Sequence, residues 1–188
     1  KKNIIYKINS NDLSVSVIGL GYVGLPLSLL LSNKSRVVGI DIDKKKIDNL
    51  NSNKSYIERI NNRKIKAFNK KNIFSNDFSK IIETDFIIIC VPTPLTKNGN
   101  PDLSYISNAI TKIKPYLKKG QTIVLESTSY PGTTYDHIVK VLNKNFIVGK
   151  EIFVGFSSER IDPGINENKI QKIPKVVSGY SKFCLEIV

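Results

Sequence analysis

The chain has 188 residues, 40% of them hydrophobic and 24% charged, enough for one well-buried α/β domain but short for two domains of usual size with a cleft between them. Lys and Arg number 29 against 16 Asp and Glu, a formal net charge of +13; the lysines are scattered among asparagines and isoleucines with no aromatic-basic interleaving, so a nucleic-acid partner is not expected and the charge reads as a solvated face that also attracts phosphate-bearing ligands. There is no signal-peptide pattern, no metal or disulfide spacing for the two cysteines, and no bilayer-length apolar run, since Val15 to Leu31 is broken by three glycines and Pro26; the expectation is a cytoplasmic protein with reduced thiols, no metal and no membrane partner.

Residues 1–13 are a polar lead with one apolar patch, Ile4 to Ile8, and read as a surface extension ahead of a domain spanning 14–188. That domain opens on Ser14 to Ile18, a β-branched apolar run of strand type, followed by Gly19-Leu20-Gly21-Tyr22-Val23-Gly24 and a helical stretch, Leu25 to Leu31. In a strand–glycine turn–helix unit Gly19 makes the tight turn, Gly21 lets a pyrophosphate approach bare backbone, and Gly24 lets helix and strand pack closely. Tyr22 and Val23 complete the turn, and the phosphates rest on unpaired amides at the helix N-terminus. A second strand, Arg36 to Ile40, ends at Asp41, about 20 residues on, where the dinucleotide fingerprint places its acid. A carboxylate there binds ribose hydroxyls and repels a 2′-phosphate, so the expected cofactor is NAD rather than NADP.

Helices are expected over Asp43 to Leu50, with Lys44, Lys45 and Lys46 beside the adenosine ribose, and over Ser55 to Phe68, before a short strand near Ile73 and Phe74. Asp85 to Val91 has the continuous apolar character of a central parallel strand, and it runs into the stiff turn Pro92-Thr93-Pro94-Leu95 at the ligand-binding edge of the sheet, which makes Thr93 a candidate near the nicotinamide ribose. Next come a helix from about Leu103 to Leu117, capped by Asp102 or Ser104, and a strand, Gln121 to Glu126, that delivers a hydroxyl-rich turn. Of its hydroxyls Thr128 is the candidate to meet a reacting alcohol or water, while Thr133 fits better as a cap for the helix starting near Thr134; His137 lies inside that helix and reads as a surface or partly buried position rather than a catalytic one. Glu151 to Ser157 is a further strand, after which Glu159 is a candidate general base or water-holding group and Arg160 a phosphate or backbone-ordering group. Lys175 to Ser178 is the last strand and Ser181 to Val188 starts a helix. The fold class is therefore α/β, a Rossmann-like, doubly wound, mostly parallel sheet with helices on both faces.

From about Val15 to Gly179 the chain resembles the N-terminal, NAD-binding portion of nucleotide-sugar 6-dehydrogenases, the UDP-glucose and GDP-mannose dehydrogenase family. The resemblance rests on Val17-Ile18-Gly19-Leu20-Gly21-Tyr22-Val23-Gly24-Leu25-Pro26-Leu27, Asp41-Ile42-Asp43, Cys90-Val91-Pro92-Thr93-Pro94-Leu95, Leu125-Glu126-Ser127-Thr128 with Tyr130-Pro131-Gly132-Thr133-Thr134, and Glu159-Arg160 with Asp162-Pro163-Gly164. Asn100 to Ile106, Glu126 to Thr134 and Ile173-Pro174-Lys175-Val176-Val177 look most like the branch acting on UDP-N-acetylglucosamine and related N-acetylhexosamines; a UDP-glucose 6-dehydrogenase domain and a non-catalytic NAD-binding module are the alternatives. The resemblance implies oxidation of the sugar's C6 alcohol to the acid with two NAD, through an aldehyde and a cysteine thioester. It implies that Asp41 and Lys46 hold the adenosine ribose, that Val91, Pro92 and Thr93 line the nicotinamide side, and that Thr128 and Glu159 serve hydride transfer and hydrolysis, with Glu159, Arg160 and Ile161 toward the substrate. The family's nucleophilic cysteine, central helix and UDP-binding domain belong to later sequence, so Cys90 and Cys184 do not inherit that role, this portion alone is expected to be inactive, and a homodimer is expected for the full-length protein. Ser158 stands where the family has proline, which is expected to loosen the turn carrying Glu159; Asn53 and Ser178 replace common glycines, and Asn53 suits a left-handed turn.

Overall fold

In the computed structural model, residues 2–159 and 174–188 are described. Seven short strands, β1 (Ser14–Ile18), β2 (Arg36–Ile40), β3 (Ile73–Ser75), β4 (Phe86–Ile89), β5 (Thr122–Leu125), β6 (Phe153–Ser157) and β7 (Val177–Gly179), form one sheet in the order β3-β2-β1-β4-β5-β6-β7. All neighbours are parallel except β7, which runs antiparallel to β6. The chain winds outward from β1 to β3, then crosses back to β4 on the other side of β1. That reversal opens a crevice beyond the carboxyl ends of β1 and β4, the place where such sheets bind ligands.

Register brings the functional segments level. Ile18 pairs with both Ile40 and Ile89, and Ile89 with Leu125. Each ladder extends one step past its strands: Gly19 N donates to Ile40 O at 2.8 Å, Cys90 N to Ile18 O at 2.8 Å, and Glu126 N to Ile89 O at 2.8 Å. Gly19, Asp41, Cys90 and Glu126 therefore leave the sheet side by side.

Helices cover both faces, each over its own apolar cluster. On one side α2 (Gly24–Leu31), α3 (Lys44–Asn51) and α4 (Asn62–Phe68) enclose Val17, Leu25, Val37, Leu50 and Ile65. On the other, α5 (Ser104–Ile113) and a π turn (Tyr135–Val139) leading into α6 (Lys140–Leu142) cover Ile87, Ile106, Ile110, Ile123 and Ile138. A third, smaller cluster joins α1 (Lys2–Asn9) to α7 (Lys182–Ile187) around Ile4, Phe153, Cys184 and Ile187. No helix among the described residues is long and apolar enough to cross a membrane.

The lead read as a surface extension is in fact α1: Ile4 is only 5% exposed, and Lys7 Nζ lies 2.7 Å from Asp85 Oδ1 at the entrance of β4. The helix expected over Ser55 to Phe68 begins only at Asn62, because short side chains capture the backbone before it. Ser55 N donates to Asn62 Oδ1 at 2.8 Å, Ser55 Oγ accepts from Ile57 N at 3.1 Å, and Asn61 caps α4 by accepting from Arg63 N at 2.8 Å. The helix expected to reach Leu117 leaves α-geometry after Ile113 for a 3-10 turn, Lys114–Tyr116, where Pro115 lacks the N–H to continue it. Asn53 has φ of 59°, the left-handed turn expected of it.

Candidate functional site

A crevice of about 890 Å³ lies along the carboxyl edge of the sheet, near the top of the roughly 300–1,000 Å³ range of ligand sites. It runs from Asp41 and Lys46, past Gly19, Gly21, Tyr22 and Val23, to Val91, Pro92, Thr93, Thr128 and Glu159. The sequence-derived candidates within the described residues thus meet in one place, with Gly24 directly beneath. Arg160 and Ile161, with Asp162, Pro163 and Gly164, lie outside the described residues.

The glycines separate by role. Gly19 has φ of +91°, and a Cβ there would sit 2.7 Å from Cys90 O; a Cβ on Gly24 would overlap the Gly19 carbonyl oxygen. Both are needed by the protein itself. A Cβ on Gly21 would meet nothing within 4 Å, so its bareness faces open crevice, as a closely approaching ligand requires. Where Asp43 caps α3, Asn61 caps α4 and Ser181 caps α7 through side-chain oxygens, α2 starts at Val23 with no side-chain cap. Leu25 N donates to Gly21 O at 3.1 Å and Pro26 has no N–H, so what is left for an anion is the amides of the turn leading into α2 and the positive end of its dipole.

Asp41 sits at the end of β2, 6% exposed, and its carboxylate already orders the turn: Oδ2 accepts from Leu20 N at 2.8 Å and Oδ1 from Asp43 N at 2.9 Å. Lys46 Nζ lies 3.3 Å from Asp41 Oδ2, while Lys44 and Lys45 are exposed. Of the three lysines only Lys46 lines the crevice. Asp41 and Lys46 present the paired charge a ribose diol can bridge, and the carboxylate disfavours a phosphate in its place. Tyr56 joins this group from the irregular segment before α4, its hydroxyl donating to Leu20 O and its ring 5.8 Å from Lys46 Nζ. Burial, then the charges of Asp41 and Asp43, push its hydroxyl above the usual tyrosine range.

At the other end, Ser127 Oγ donates to Val91 O at 2.7 Å, tying the loop after β5 to the loop after β4; the next residue, exposed Thr128, lines the same crevice as Val91 to Thr93. Glu126 is buried and accepts from Lys175 Nζ. Burial raises its carboxyl; Lys175 opposes that, Glu159 adds to it, and the result is upward. Cys90 lies beneath, its thiol pushed well up by burial and by the charges of Glu126 and Glu159, which leaves it protonated and unsuited to nucleophilic attack. The turn carrying Glu159 is tied rather than loosened by Ser158: its amide donates to Val176 O at 2.9 Å, and its hydroxyl accepts from Val176 N at 3.2 Å. A proline there would lack both groups.

Three residues of the site escaped sequence reasoning. Tyr56 was hidden inside a stretch read as regular helix, and Glu126 and Lys175 carry motif resemblance but meet only in the folded chain. Thr133 also differs from expectation, since its hydroxyl donates back to Tyr130 O at 2.8 Å and the turn at Thr134 has no side-chain cap. Asp102 accepts from Ser104 N at 2.9 Å at the start of α5. His137 packs against Ser107, Nδ1 to Oγ 2.9 Å, away from the crevice lining.

Comparison with known proteins agrees with this geometry. Residues 13–186 match the model of the UDP-glucose/GDP-mannose dehydrogenase family, NAD binding domain. Protein CapL of Staphylococcus aureus is 38% identical over 177 residues, covering 93% of this chain and 41% of its own length. The UDP-N-acetyl-D-glucosamine 6-dehydrogenase of Pseudomonas aeruginosa is 36% identical over 179 residues, covering 94% and 42%. Among solved structures, the UDP-N-acetyl-mannosamine dehydrogenase Cap5O of Staphylococcus aureus superimposes with a TM-score of 0.83 at 31% identity, over 92% of this chain and 43% of that one. The chain spans about two fifths of the length of these relatives.

Proposed function

Because the chain belongs to the UDP-glucose/GDP-mannose dehydrogenase family, as its NAD-binding domain, we propose that it is the cofactor half of an NAD-dependent UDP-N-acetylhexosamine 6-dehydrogenase, UDP-N-acetylglucosamine being the foremost substrate. The observation that carries the cofactor reading is the bare, uncapped turn at Gly21 beside the Asp41 carboxylate. The substrate reading is supported by the N-acetylhexosamine-nucleotide activities named for relatives such as the Pseudomonas aeruginosa enzyme.

In this reading Asp41 and Lys46 hold the adenosine ribose, the turn from Gly19 to Gly24 takes the pyrophosphate, and Val91 to Thr93 line the nicotinamide ribose. NAD, when bound, supplies a hydride acceptor for the sugar carbon. The chain's own groups handle protons and water. Thr128, exposed in the crevice that Val91 to Thr93 also line, orients the alcohol or a water, and Glu159 accepts a proton or holds the water that hydrolyses a covalent intermediate. Arg160 and Ile161 are assigned to substrate binding. Buried Glu126, paired with the more exposed Lys175, supports this end of the crevice. Residues 14–188 act as one dinucleotide-binding unit, inactive alone, within a cytoplasmic, homodimeric full-length protein whose nucleophile lies in sequence beyond this chain.

The test is NADH formation by the full-length gene product with UDP-N-acetylglucosamine, UDP-N-acetylmannosamine and UDP-glucose. Two NADH per N-acetylhexosamine nucleotide, and little from UDP-glucose, is the expected result. Preference for UDP-glucose contradicts the substrate assignment, and no turnover with any sugar nucleotide contradicts the enzymatic one.

A further inference from the structure

Leu20 contributes no polar side chain, yet both of its backbone polar groups are held by side chains from distant parts of the sequence. Its N–H donates to Asp41 Oδ2 at 2.8 Å, and its carbonyl accepts from the Tyr56 hydroxyl. Because each peptide unit is planar and trans, holding the Leu20 N–H fixes the plane shared with Gly19, and holding the Leu20 carbonyl fixes the plane shared with Gly21. The second plane contains the Gly21 N–H, which points opposite to the Leu20 carbonyl and so away from Tyr56. Glycine turns are conformationally loose unless something restrains them. Here nothing would touch a Gly21 side chain within 4 Å, so packing at that position does not supply the restraint.

We propose that Tyr56 is a positioning residue which, with Asp41, clamps the two peptide planes around Leu20 and aims the Gly21 N–H at the phosphates of the bound dinucleotide. The proposal rests on the NAD reading above. It also accounts for the interruption of helix before Asn62: the turn stapled by Ser55 and Asn62, with Ile57 buried, carries the phenol to the glycine turn. Lys46 completes the clamp, 3.3 Å from Asp41 Oδ2 and 5.8 Å from the Tyr56 ring centroid, so that ribose-binding charge and turn-ordering hydroxyl share one cluster. Burial and the neighbouring carboxylates keep the hydroxyl protonated, and it donates throughout the neutral range.

The test is calorimetric titration of this chain and of Tyr56→Phe with NAD, ADP and adenosine, alongside thermal unfolding and the amide NMR signals of Leu20 and Gly21. Tyr56→Phe keeps the ring and removes one hydrogen bond. It is expected to bind NAD and ADP about fivefold to tenfold more weakly, to bind adenosine as the parent does, to unfold within about 4 °C of it, and to show a displaced or broadened Gly21 amide. Equal NAD affinity in the two chains overturns the proposal while leaving the NAD reading intact. An equal loss for adenosine, or a Tyr56→Phe chain that does not fold, also overturns it, since the hydroxyl would then serve the fold rather than the phosphates. A folded parent that binds no NAD removes the reading itself and the proposal with it.

Discussion

Gly21 and Gly24 occupy the same turn and are glycine for opposite reasons. A methyl at Gly24 would overlap the Gly19 carbonyl and force helix α2 off β1, whereas a methyl at Gly21 would project into open crevice. Gly24→Ala should therefore cost about 3 kcal/mol or more in chemical denaturation. Gly21→Ala should change stability by less than about 1 kcal/mol but weaken NAD by at least about tenfold in titration, because the methyl takes the space of the pyrophosphate. Asp41 orders Leu20 and Asp43 and also lines the crevice, where the proposal places the adenosine ribose. This much was legible in the sequence, since the glycine spacing and the acid about 20 residues on carry a local physical meaning. Tyr56 was not legible. Its role depends on a turn created by Ser55 and Asn62, and side-chain capture of backbone leaves no periodic signal in the sequence.

At the scale of elements, the strands were read to within about two residues at each end, and the parallel ones were legible because buried parallel strands are apolar on both faces. The lead was misread because eight residues with one apolar patch look like a tail until α7 and Phe153 supply the surface that buries Ile4. The attachment of α1 to β4 should be acid-sensitive. Burial pushes the Asp85 carboxyl up, but the Lys7 ammonium and the Ser14 hydroxyl and amide outweigh it and hold it below the usual carboxylate range. A depressed carboxyl stabilises the fold fully above its unfolded pKa of about 3.9, and that contribution is lost as pH falls through the lower folded value. Asp85→Asn should thus flatten the acid side of a stability-against-pH curve and lower the plateau at neutral pH. In β5, the fully buried Thr122 hydroxyl has no hydrogen-bond partner among the described residues. Thr122→Val removes that desolvated group at equal volume and should leave stability unchanged or raise it by up to about 1 kcal/mol in urea denaturation. Ser158→Pro should instead destabilise by about 1 kcal/mol or more, since it breaks the link to Val176.

The whole molecule is a doubly wound sheet whose reversal between β1 and β4 creates the crevice, and that architecture followed from the alternation of apolar runs and helical stretches. The Glu126–Lys175 pair at its far end did not, because the partners are 49 residues apart and only the antiparallel return of β7 brings them together. A ligand that binds only the folded chain raises its stability by mass action. NAD at 100 times its dissociation constant should add about 2.7 kcal/mol, a rise of roughly 5–10 °C in thermal midpoint for a domain of this size. The central claim is that the edge running from Asp41 through the glycine turn is an NAD site selected by that carboxylate. Calorimetric titration of the chain and of Asp41→Ala with NAD and NADP tests it most directly. The account predicts NAD binding at least about tenfold tighter than NADP, with NAD affinity and the preference both reduced in Asp41→Ala. Equal binding of the two cofactors by the parent chain, or a folded chain that binds neither, would contradict it.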